Sequence, residues 1–413
     1  MLEANPDLGW RDVQKIIALA SRNVGSDVGA AAVGSEQATD GGATWQWNAA
    51  GEGSSNLHWN GGGLHFSNDY GYGVIDALAA VRLAETWELT GTSGTGGTEV
   101  SETRDMDGFG VTTNYSFGFV NHTATFSNNI IVQHISVNID FDIDDLADME
   151  VFIISPDGTR IQLINDTGDF QAFDTSINAN NRGWNFGSTA FLGEEGNGTW
   201  TVQIRNDDGS GAGTFSTSDV DLTIYGDTET NDDLFVYTDA FSDYDGIAGH
   251  LTSANGGSGI DTINASAVTS NTLINLLLNT GTIDGVAMTN SDIQRVFTGD
   301  GNDTVIGDSF WDFIDTGRGN DSVQGGSAAE TINGGAGNDS LDGGAGDDTI
   351  NGGDGNDTIT GGLGNDSMNG GNGNDVFDFL AGLHSSDTIN GGAGTDKILL
   401  SGLGTFNFNS ANL

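Results

Sequence analysis

Aspartate recurs at a fixed spacing in the C-terminal third of this 413-residue chain. Consecutive nine-residue phrases run from Thr298 to Asp378 without an insertion, and most of them carry glycine, aspartate and one aliphatic residue at the same places. Carboxylates in a regular array are typical ligands of hard divalent cations, and glycine loops add main-chain carbonyl oxygens. The chemistry indicated by this spacing is calcium binding.

The same phrases predict the element that positions these acids. The eighth residue of every phrase is apolar, and a repeat that buries one residue and offers glycine turns is typical of a parallel β-roll. These residues are Val305, Ile314, Val323, Ile332, Leu341, Ile350, Ile359, Met368 and Phe377. Two phrases should complete one coil, so that every second phrase stacks on the same edge.

The two edges of the predicted coil differ in sequence. The first keeps G-x-G-N-D in all its members, which predicts a continuous calcium row. The aspartates of this row are Asp303, Asp321, Asp339, Asp357 and Asp375. The second edge keeps the pattern only in its last two phrases, which predicts a shorter row of Asp348 and Asp366. At Asp312 and Glu330 we expect weak binding or none.

Repulsion within such a row favours bound cations over simple turn formation. Stacked strands lie about 4.8 Å apart, and two carboxylates at that distance repel by roughly 3 kcal/mol at an effective dielectric of about 20. Asparagine or serine would form the turns without this cost. The phrase GGSGIDTIN at 256–264 adds Asp261 as a further candidate ligand, and GGAGTDKIL at 391–399 fits out of register by three residues.

This pattern resembles the RTX, or haemolysin-type, calcium-binding repeat. Its signature, G-G-x-G-x-D-x-U-x, is matched by successive phrases from Gly334 to Asp378. The resemblance implies several bound Ca²⁺ ions in a β-roll, which we place at residues 298–413. The preceding segment, 228–297, resembles the strand-rich region before the repeats of serralysin-type C-terminal domains.

The N-terminal half has a different pattern. Residues 1–90 predict two amphipathic helices, one from Trp10 to Ala20 and one from Val74 to Trp87. Residues 91–105 have no apolar pattern and predict a linker. Residues 106–227 alternate in the manner of strands, with regular turns, and predict a β-sandwich or jelly roll.

Within residues 106–227, three stretches resemble landmarks of the P domain (Homo B domain) that follows the catalytic domain of kexin- and furin-like subtilases. They are DMEVFIISPDGTRIQLI, FLGEEGNGTWTVQIRND and GTFSTSDVDLTIYG. The last has Asp219 and Val220 where the family usually has a tryptophan, with two extra residues, so we expect a shifted strand there.

The segments 5–21 and 66–87 are similar to the C-terminal end of the subtilase catalytic domain. Together the resemblances imply a mainly β chain. The expected order along the chain is the helical end of a subtilase α/β domain, then a P-domain β-sandwich, then an RTX parallel β-roll. They also imply that Met1 is an internal methionine and that the chain is a fragment.

No catalytic residue is expected in this chain. A serine protease brings Ser, His and Asp together, and the resemblance places all three before Met1. GTSG at 91–94 lacks the continuation of the family's nucleophile motif, and we expect His65 to be structural. The acidic stretch 140–150 fails the EF-hand pattern, but P domains can bind calcium near the position of Asp148.

Composition limits the partners further. The formal net charge is −48, and anionic surfaces such as nucleic acid and membranes would repel such a chain. The sequence contains no cysteine, which excludes disulfides and thiolate metal sites. No apolar run approaches the length of a membrane span, so we expect no membrane insertion.

Two functions fit these observations. The first is the calcium-binding C-terminal part of a secreted, extracellular kexin-like serine endopeptidase that acts on proteins or peptides. The alternative is a non-enzymatic, calcium-dependent adhesin or surface module. The alternative explains the repeats equally well, but it does not explain the helical residues 1–90.

Overall fold

The computed structural model describes most of the sandwich and nearly all of the roll, with gaps. The described residues are 4–6, 8, 10–22, 74–87, 100–106, 113–115, 118–127, 129–143, 149–164, 182–206, 215–228, 231–245, 252–379, 384 and 386–400. Among them, no helix is long and apolar enough to cross a membrane.

A small helical unit comes first. It contains α1 (Trp10–Leu19), α2 (Ala77–Thr86) and a two-residue ladder of β1 (Ser21–Arg22) with β2 (Val74–Ile75). The Oδ1 atom of Asp76 accepts the amides of Leu78 (2.9 Å) and Ala79 (3.1 Å), a helix N-cap.

Both predicted helices are confirmed, with one correction at the second. Because Asp76 is the N-cap of α2, its own backbone is extended, and the helix cannot include Val74. Val74 instead pairs in β2 and is exposed.

The second unit is an antiparallel β-sandwich. Its strands are β3 (Val100–Asp105), β4 (Thr113–Tyr115), β5 (Gly118–Phe126), β6 (Ile130–Ile143), β7 (Met149–Ile154), β8 (Arg160–Ile164), β9 (Arg182–Ser188), β10 (Gly198–Asn206) and β11 (Phe215–Thr228). One sheet has the order β5-β10-β7-β8, and the other has the order β3-β11-β6-β9, with β4 also on β11. The predicted sandwich is confirmed.

An apolar core joins the two sheets. Alternate residues of β6, β10 and β11 point into it, as the period of two requires. Trp200 is fully buried, lies edge-on to Phe191 at 5.0 Å between ring centroids, and donates its indole N–H to the carbonyl of Gly196 (2.9 Å). The pairing of β6 with β11 has a register irregularity between Thr217 and Asp219, beside the extra residues noted in the sequence.

The linker prediction for residues 91–105 is wrong for its last six residues. These residues form β3, which pairs with β11 along its whole length. The prediction failed because the half-buried positions of β3 include Glu102 and Arg104, so the strand carries no apolar alternation. The guanidinium of Arg104 lies over the ring of Phe126, at 5.9 Å from its centroid, and so takes an apolar residue's place at the sheet edge.

The third unit is a two-sheet parallel β-roll. Its elements are β12 (Leu234–Thr238), a 3₁₀ turn (Ser242–Tyr244), β13 (Ser253–Asn255), β14 (Thr262–Ala267), β15 (Leu273–Asn275), β16 (Thr280–Ile283), β17 (Val286–Ser291), β18 (Arg295–Phe297), β19 (Thr304–Ile306), β20 (Phe313–Asp315), β21 (Ser322–Gln324), β22 (Thr331–Ala336), β23 (Ser340–Asp342), β24 (Thr349–Asp354), β25 (Thr358–Thr360), β26 (Ser367–Asn372), β27 (Val376–Asp378), β28 (Thr388–Asn390) and β29 (Lys397–Leu399). One sheet has the order β12-β14-β18-β20-β22-β24-β26-β28, and the other has the order β13-β17-β16-β15-β19-β21-β23-β25-β27-β29.

The register of the roll confirms the predicted coil of two phrases. Val305 pairs with Val323, and Ile314 pairs with Ile332, so equivalent residues of successive coils stack. All nine predicted apolar positions are at most 2% exposed and form one continuous core.

The strand-rich segment 228–297 belongs to the same two sheets as the repeats. β12, β14 and β18 precede β20 in one sheet, and β13 and β15–β17 precede β19 in the other. Here β15, β16 and β17 pair antiparallel, whereas the repeats pair parallel. Residues such as Ile263, Ile274 and Met288 extend the core of the roll into this segment.

Candidate metal centre

The first predicted row of aspartates is present as a stacked column. Each Asp lies just before a strand of the second sheet. Oδ1 of Asp303 accepts the amide N–H of Thr272 (2.7 Å), and from Asp321 onward each Oδ1 accepts the amide N–H of the Asp one coil earlier. The successive N···O distances are 2.7 Å (Asp303 to Asp321), 2.8 Å (Asp321 to Asp339), 2.9 Å (Asp339 to Asp357) and 2.9 Å (Asp357 to Asp375). This bond fixes each carboxylate through one of its two oxygens.

The second oxygen of these carboxylates has no hydrogen-bond partner among the described residues. This holds for Oδ2 of Asp321, Asp339, Asp357 and Asp375, whose side chains are at most 3% exposed. Asp303 differs because its Oδ2 accepts the amide of Gly299 (3.2 Å). A buried carboxylate oxygen without a donor is costly, and a cation supplies the missing interaction.

A second column follows the other edge of the roll and is longer than the sequence predicted. Oδ1 of Asp348 accepts the amide of Glu330 (2.8 Å), and Oδ1 of Asp366 accepts the amide of Asp348 (3.1 Å). Asp312 and Glu330 are as buried as the other members, with unpartnered carboxylate oxygens within the described part of the chain. Burial alone therefore does not distinguish the two edges.

The loop backbone distinguishes individual phrases within the two edges. In the phrases at 343–348 and 361–366 the second and third glycines have positive φ, for example 92° at Gly344 and 137° at Gly346. No residue of the described loops 307–312 and 325–330 has positive φ. The glycine turn that would offer carbonyl oxygens to a cation is therefore missing at Asp312 and Glu330, where we expected weak binding. It is also missing in loop 299–303 of the main row, where neither Gly299 nor Gly301 has positive φ.

Burial raises the pKa of the carboxyl groups in both columns. The pKa of Asp321 is raised to about 7 and that of Asp357 to about 6, by burial first and by the carboxylates of adjacent coils second. On the second edge, burial raises the pKa of Asp312 to about 7. Burial, together with the neighbouring Asp348 carboxylate, also raises the pKa of Glu330. These shifts arise because the carboxyl groups lose hydration and lie close to one another, both of which disfavour the charged form.

The glycines of each phrase leave space for the carboxylate and the adjacent coil. A Cβ on Gly334 would lie 2.5 Å from Oδ2 of Asp339, so the first glycine gives the carboxylate its place. A Cβ on Gly337 would lie 1.5 Å from the carbonyl oxygen of Gly319, and the φ of Gly337 is 143°. The spacing of glycine and aspartate in the sequence thus has a direct steric cause.

An asparagine ladder runs beside the first column, and sequence reasoning missed it. The amide of Asn320 donates to Oδ1 of Asn302 (2.7 Å), and Asn338 and Asn356 continue the same pattern. The Asn bonds point to the preceding coil and the Asp bonds to the following coil, so each loop is tied on both sides. The invariant N-D pair of this edge was the available signal.

Both columns also gain a member at the C-terminal end. The amide of Asp375 donates to Asp396 (3.1 Å), and the amide of Asp366 donates to Asp387 (3.0 Å). Val376 pairs with Lys397, so three extra residues enter the last coil. The phrase at 391–399 contained the signal for Asp396, but its shifted register kept Asp396 out of the predicted row.

Asp261 stands at the start of the second edge. It is fully buried, its Oδ1 accepts the amide of Asp233 (2.7 Å), and its Oδ2 is without a partner among the described residues. Its own amide donates to Gln294, which occupies the next place in the column (2.8 Å). Asp261 is therefore separated from the other carboxylates by an uncharged side chain.

Several sequence-based predictions lie outside the described residues. Asp148, His65 and the GTSG stretch at 91–94 are among them. Elsewhere in the described part of the sandwich, carboxylate oxygens of Asp105, Asp219 and Asp221 lie within 4.8 Å of one another. Burial and the nearby acids raise the pKa of Asp219 and Asp221.

Comparison with protein-family models gives two matches. Residues 132–222 match the proprotein convertase P-domain. Overlapping stretches between residues 289 and 401 match the RTX calcium-binding nonapeptide repeat. The chain carries a P-domain and RTX calcium-binding repeats. The two matched regions coincide with the sandwich and with the columns of buried carboxylates.

Similar proteins include proprotein-processing proteases. Kexin of Saccharomyces cerevisiae is 27% identical over 50% of this chain and 22% of its own length. Furin-like protease 2 of Drosophila melanogaster is 28% identical over 50% of this chain and 10% of its own length. The chain thus spans less than a quarter of these relatives. Among solved structures, a serine protease of Aeromonas sobria is 20% identical over 55% of this chain and 42% of its own, with a TM-score of 0.38.

The carboxylates fit calcium by their chemistry. The repeats belong to a calcium-binding type, and the site offers carboxylate and main-chain carbonyl oxygens as ligands. Ca²⁺ accepts irregular sets of six to eight oxygens, whereas Mg²⁺ requires a small octahedral cage. When bound, calcium would supply positive charge to the Oδ2 atoms that receive no hydrogen bond from the described residues.

Proposed function

We propose that this chain is the calcium-binding C-terminal part of a secreted, kexin-like serine endopeptidase whose catalytic triad lies upstream. The observation that carries the calcium role is the column of buried carboxylates from Asp321 to Asp375, each with one oxygen fixed by hydrogen bonding and one oxygen left unpartnered by the described residues. The P-domain match and the similarity to kexin support the protease role.

The ligands fall into groups by loop geometry. The main row consists of Asp321, Asp339, Asp357 and Asp375, and the second row consists of Asp348 and Asp366. Asp303 begins the main row as a weaker ligand, because its loop has no glycine with positive φ and its Oδ2 accepts the amide of Gly299. Asp387 and Asp396 extend the two rows by one coil each. Asp261 and Asp148 are weaker candidates, the first because its neighbour in the column is Gln294.

Folding of the roll would depend on the calcium concentration of the compartment that contains it. Sites of the extracellular class bind with Kd of about 10⁻⁴–10⁻³ M, so they would fill outside the cell and stay empty in the cytosol. Metal binding and folding are then one equilibrium. The roll would act as a folding module for export, while the P-domain supports the upstream catalytic domain that cleaves proteins or peptides.

Calcium titration of the purified chain, by calorimetry and equilibrium dialysis, tests the first half of this proposal. We expect several bound Ca²⁺ per chain and no comparable uptake of Mg²⁺. Equal uptake of both ions, or no calcium uptake at millimolar concentration, would contradict it.

The reading frame upstream of Met1 tests the second half. An encoded subtilase domain with its Asp, His and Ser triad supports the protease, and the chain by itself should then cleave no peptide. An upstream frame without that domain would instead favour the calcium-dependent adhesin.

A further inference from the structure

The helical unit packs against the first coils of the roll. Leu83 and Trp87 of α2 share one buried cluster with Ala267 at the end of β14, and Val236 of β12 packs against this cluster. The indole N–H of Trp87 donates to Oδ1 of Asp12, which ties α1 to the same assembly (3.3 Å). The apolar face of the two helices is therefore completed by the roll.

Hydrogen bonds fix the direction of this packing. The hydroxyl of Thr86 lies 2.9 Å from the hydroxyl of Ser266, and the side-chain amide of Asn264 donates to Thr86 (3.1 Å). Asn264 and Ser266 are buried, although they lie on the face of β14 that points away from the roll's own core. Because α2 buries these two side chains, it covers this outer face of β14.

A cluster of four charged side chains lies at the edge of the same contact. The guanidinium of Arg82 binds Asp300 through two contacts, Nε to Oδ1 at 3.0 Å and Nη2 to Oδ2 at 3.0 Å. Arg318 reaches Asp300 (3.5 Å) and also Glu85 on α2 (3.2 Å). The chain has only 11 Lys and Arg residues and a formal charge of −48, and two of these basic residues form ion pairs in this one cluster.

Both roll residues of this cluster sit in loops that carry proposed calcium ligands. Asp300 precedes Asp303 by three residues, and Arg318 precedes Asp321 by three residues. The amide of Arg318 donates to the carbonyl of Gly299 (2.8 Å), so the two loops are also joined through the main chain. A folded first pair of loops is required to present Asp300 and Arg318 to α2.

We infer that docking of the helical unit on the roll is coupled to calcium loading of loop 317–321, which the main chain joins to loop 299–303. This inference rests on the proposed calcium role of the roll. Without calcium the loops open, and Arg82 and Glu85 lose their partners. With calcium the loops close and α2 is held on β14. Because such coupling is reciprocal, the docked helices also strengthen calcium binding at loop 317–321.

Hydrogen exchange of the full chain, followed by mass spectrometry with and without millimolar calcium, tests the coupling. Calcium should slow exchange in the roll and also in Ala77–Thr86, while the sandwich strand β10 stays unchanged. In an Arg82→Ala variant the roll should still respond to calcium, but the response of α2 should fall at least about fivefold, the lower limit typical of coupling between sites. Thr86→Val should lower the α2 response in the same direction without changing charge.

Lys397→Ala is the matched control, because it removes one positive charge from the exposed far end of the roll. It should behave as the wild type does. If the roll responds to calcium and α2 does not, the coupling is wrong and the calcium role stands. If the roll itself ignores calcium, both are wrong. An α2 response that survives in Arg82→Ala and Thr86→Val also overturns the coupling.

Discussion

The sandwich and the roll are both built from β-strands, but they bury different things. The sandwich encloses a broad core that includes Trp200, Phe126 and Phe191, all fully buried. The roll has a core of one main residue per strand, and its edges bury two columns of carboxyl groups. Apolar burial stabilises the first unit, whereas we propose that the second also requires bound cations to neutralise its acidic edges.

Removal of calcium should produce the largest difference in stability between the two units. EDTA should reduce the far-ultraviolet β signal and accelerate amide exchange in the roll from β19 to β27, because the carboxylate columns then repel without compensation. Exchange in β6 and β10 should remain slow. A roll that keeps its spectrum and its exchange protection in EDTA would abolish the proposed difference between the units.

The reverse experiment weakens the sandwich alone. Trp200→Ala should lower the free energy of unfolding of the sandwich by about 3–5 kcal/mol, because it removes a fully buried indole. The calcium midpoint of the roll should not change. Denaturant unfolding followed by exchange in each unit measures both quantities, and Phe119→Ala, at a 45% exposed ring, should cost clearly less. A shifted calcium midpoint in Trp200→Ala would show that the units are not independent.

A single methyl group should break the stacking of the roll. Gly337→Ala places a Cβ 1.5 Å from the carbonyl of Gly319 at a φ of 143°, so it adds overpacking to backbone strain, each worth about 1–3 kcal/mol. Gly257→Ala is the control, because Gly257 also has positive φ (78°) but its Cβ would meet no atom within 4 Å. Calcium-loaded thermal unfolding should rank Gly337→Ala well below Gly257→Ala. Equal losses would mean that strain alone matters.

Two acids of one loop give the finest comparison. Asp357→Asn replaces a buried carboxylate of the main row, and Asp354→Asn replaces an exposed carboxylate three residues earlier. Both remove one charge, but only the first should lower the number of bound calcium ions, by about one or two, and raise the calcium midpoint. Calorimetric titration measures this. Identical titrations would indicate that net charge, and not ligand position, controls binding.

Local sequence patterns predicted much of the fold. Each half-coil needs nine residues for steric reasons, so the nine-residue period of the sequence predicted the coil. It also predicted that equivalent residues stack and that the apolar positions from Val305 to Phe377 are buried. Alternation gave β6, β7, β8, β10 and β11 of the sandwich for the same reason. The prediction failed for β3, since main-chain pairing to β11 and not an apolar pattern makes that segment a strand.

The candidate site was predicted in part. Asp321, Asp339, Asp357 and Asp375 were predicted to stack in one row, and the structure stacks them in a buried column with one oxygen of each unpartnered among the described residues. Their role as calcium ligands stays a prediction. Burial of Asp312 and Glu330 was not foreseen, because their loops lack the glycine pattern and only the coil's register carries them inside. Asp387 and Asp396 were missed because three extra residues shift the last coil.

By itself, the sequence determined the repeat, the coil and the identity of the acids, because these depend on contacts between residues at fixed short spacing. Only the tertiary structure decided which face of the roll is covered and which carboxylate receives a guanidinium. Arg82 and Asp300 are 218 residues apart, and no local period links them. Their contact depends on the packing of α2 against β14, which is a property of the assembled surfaces and leaves no periodic trace in the chain.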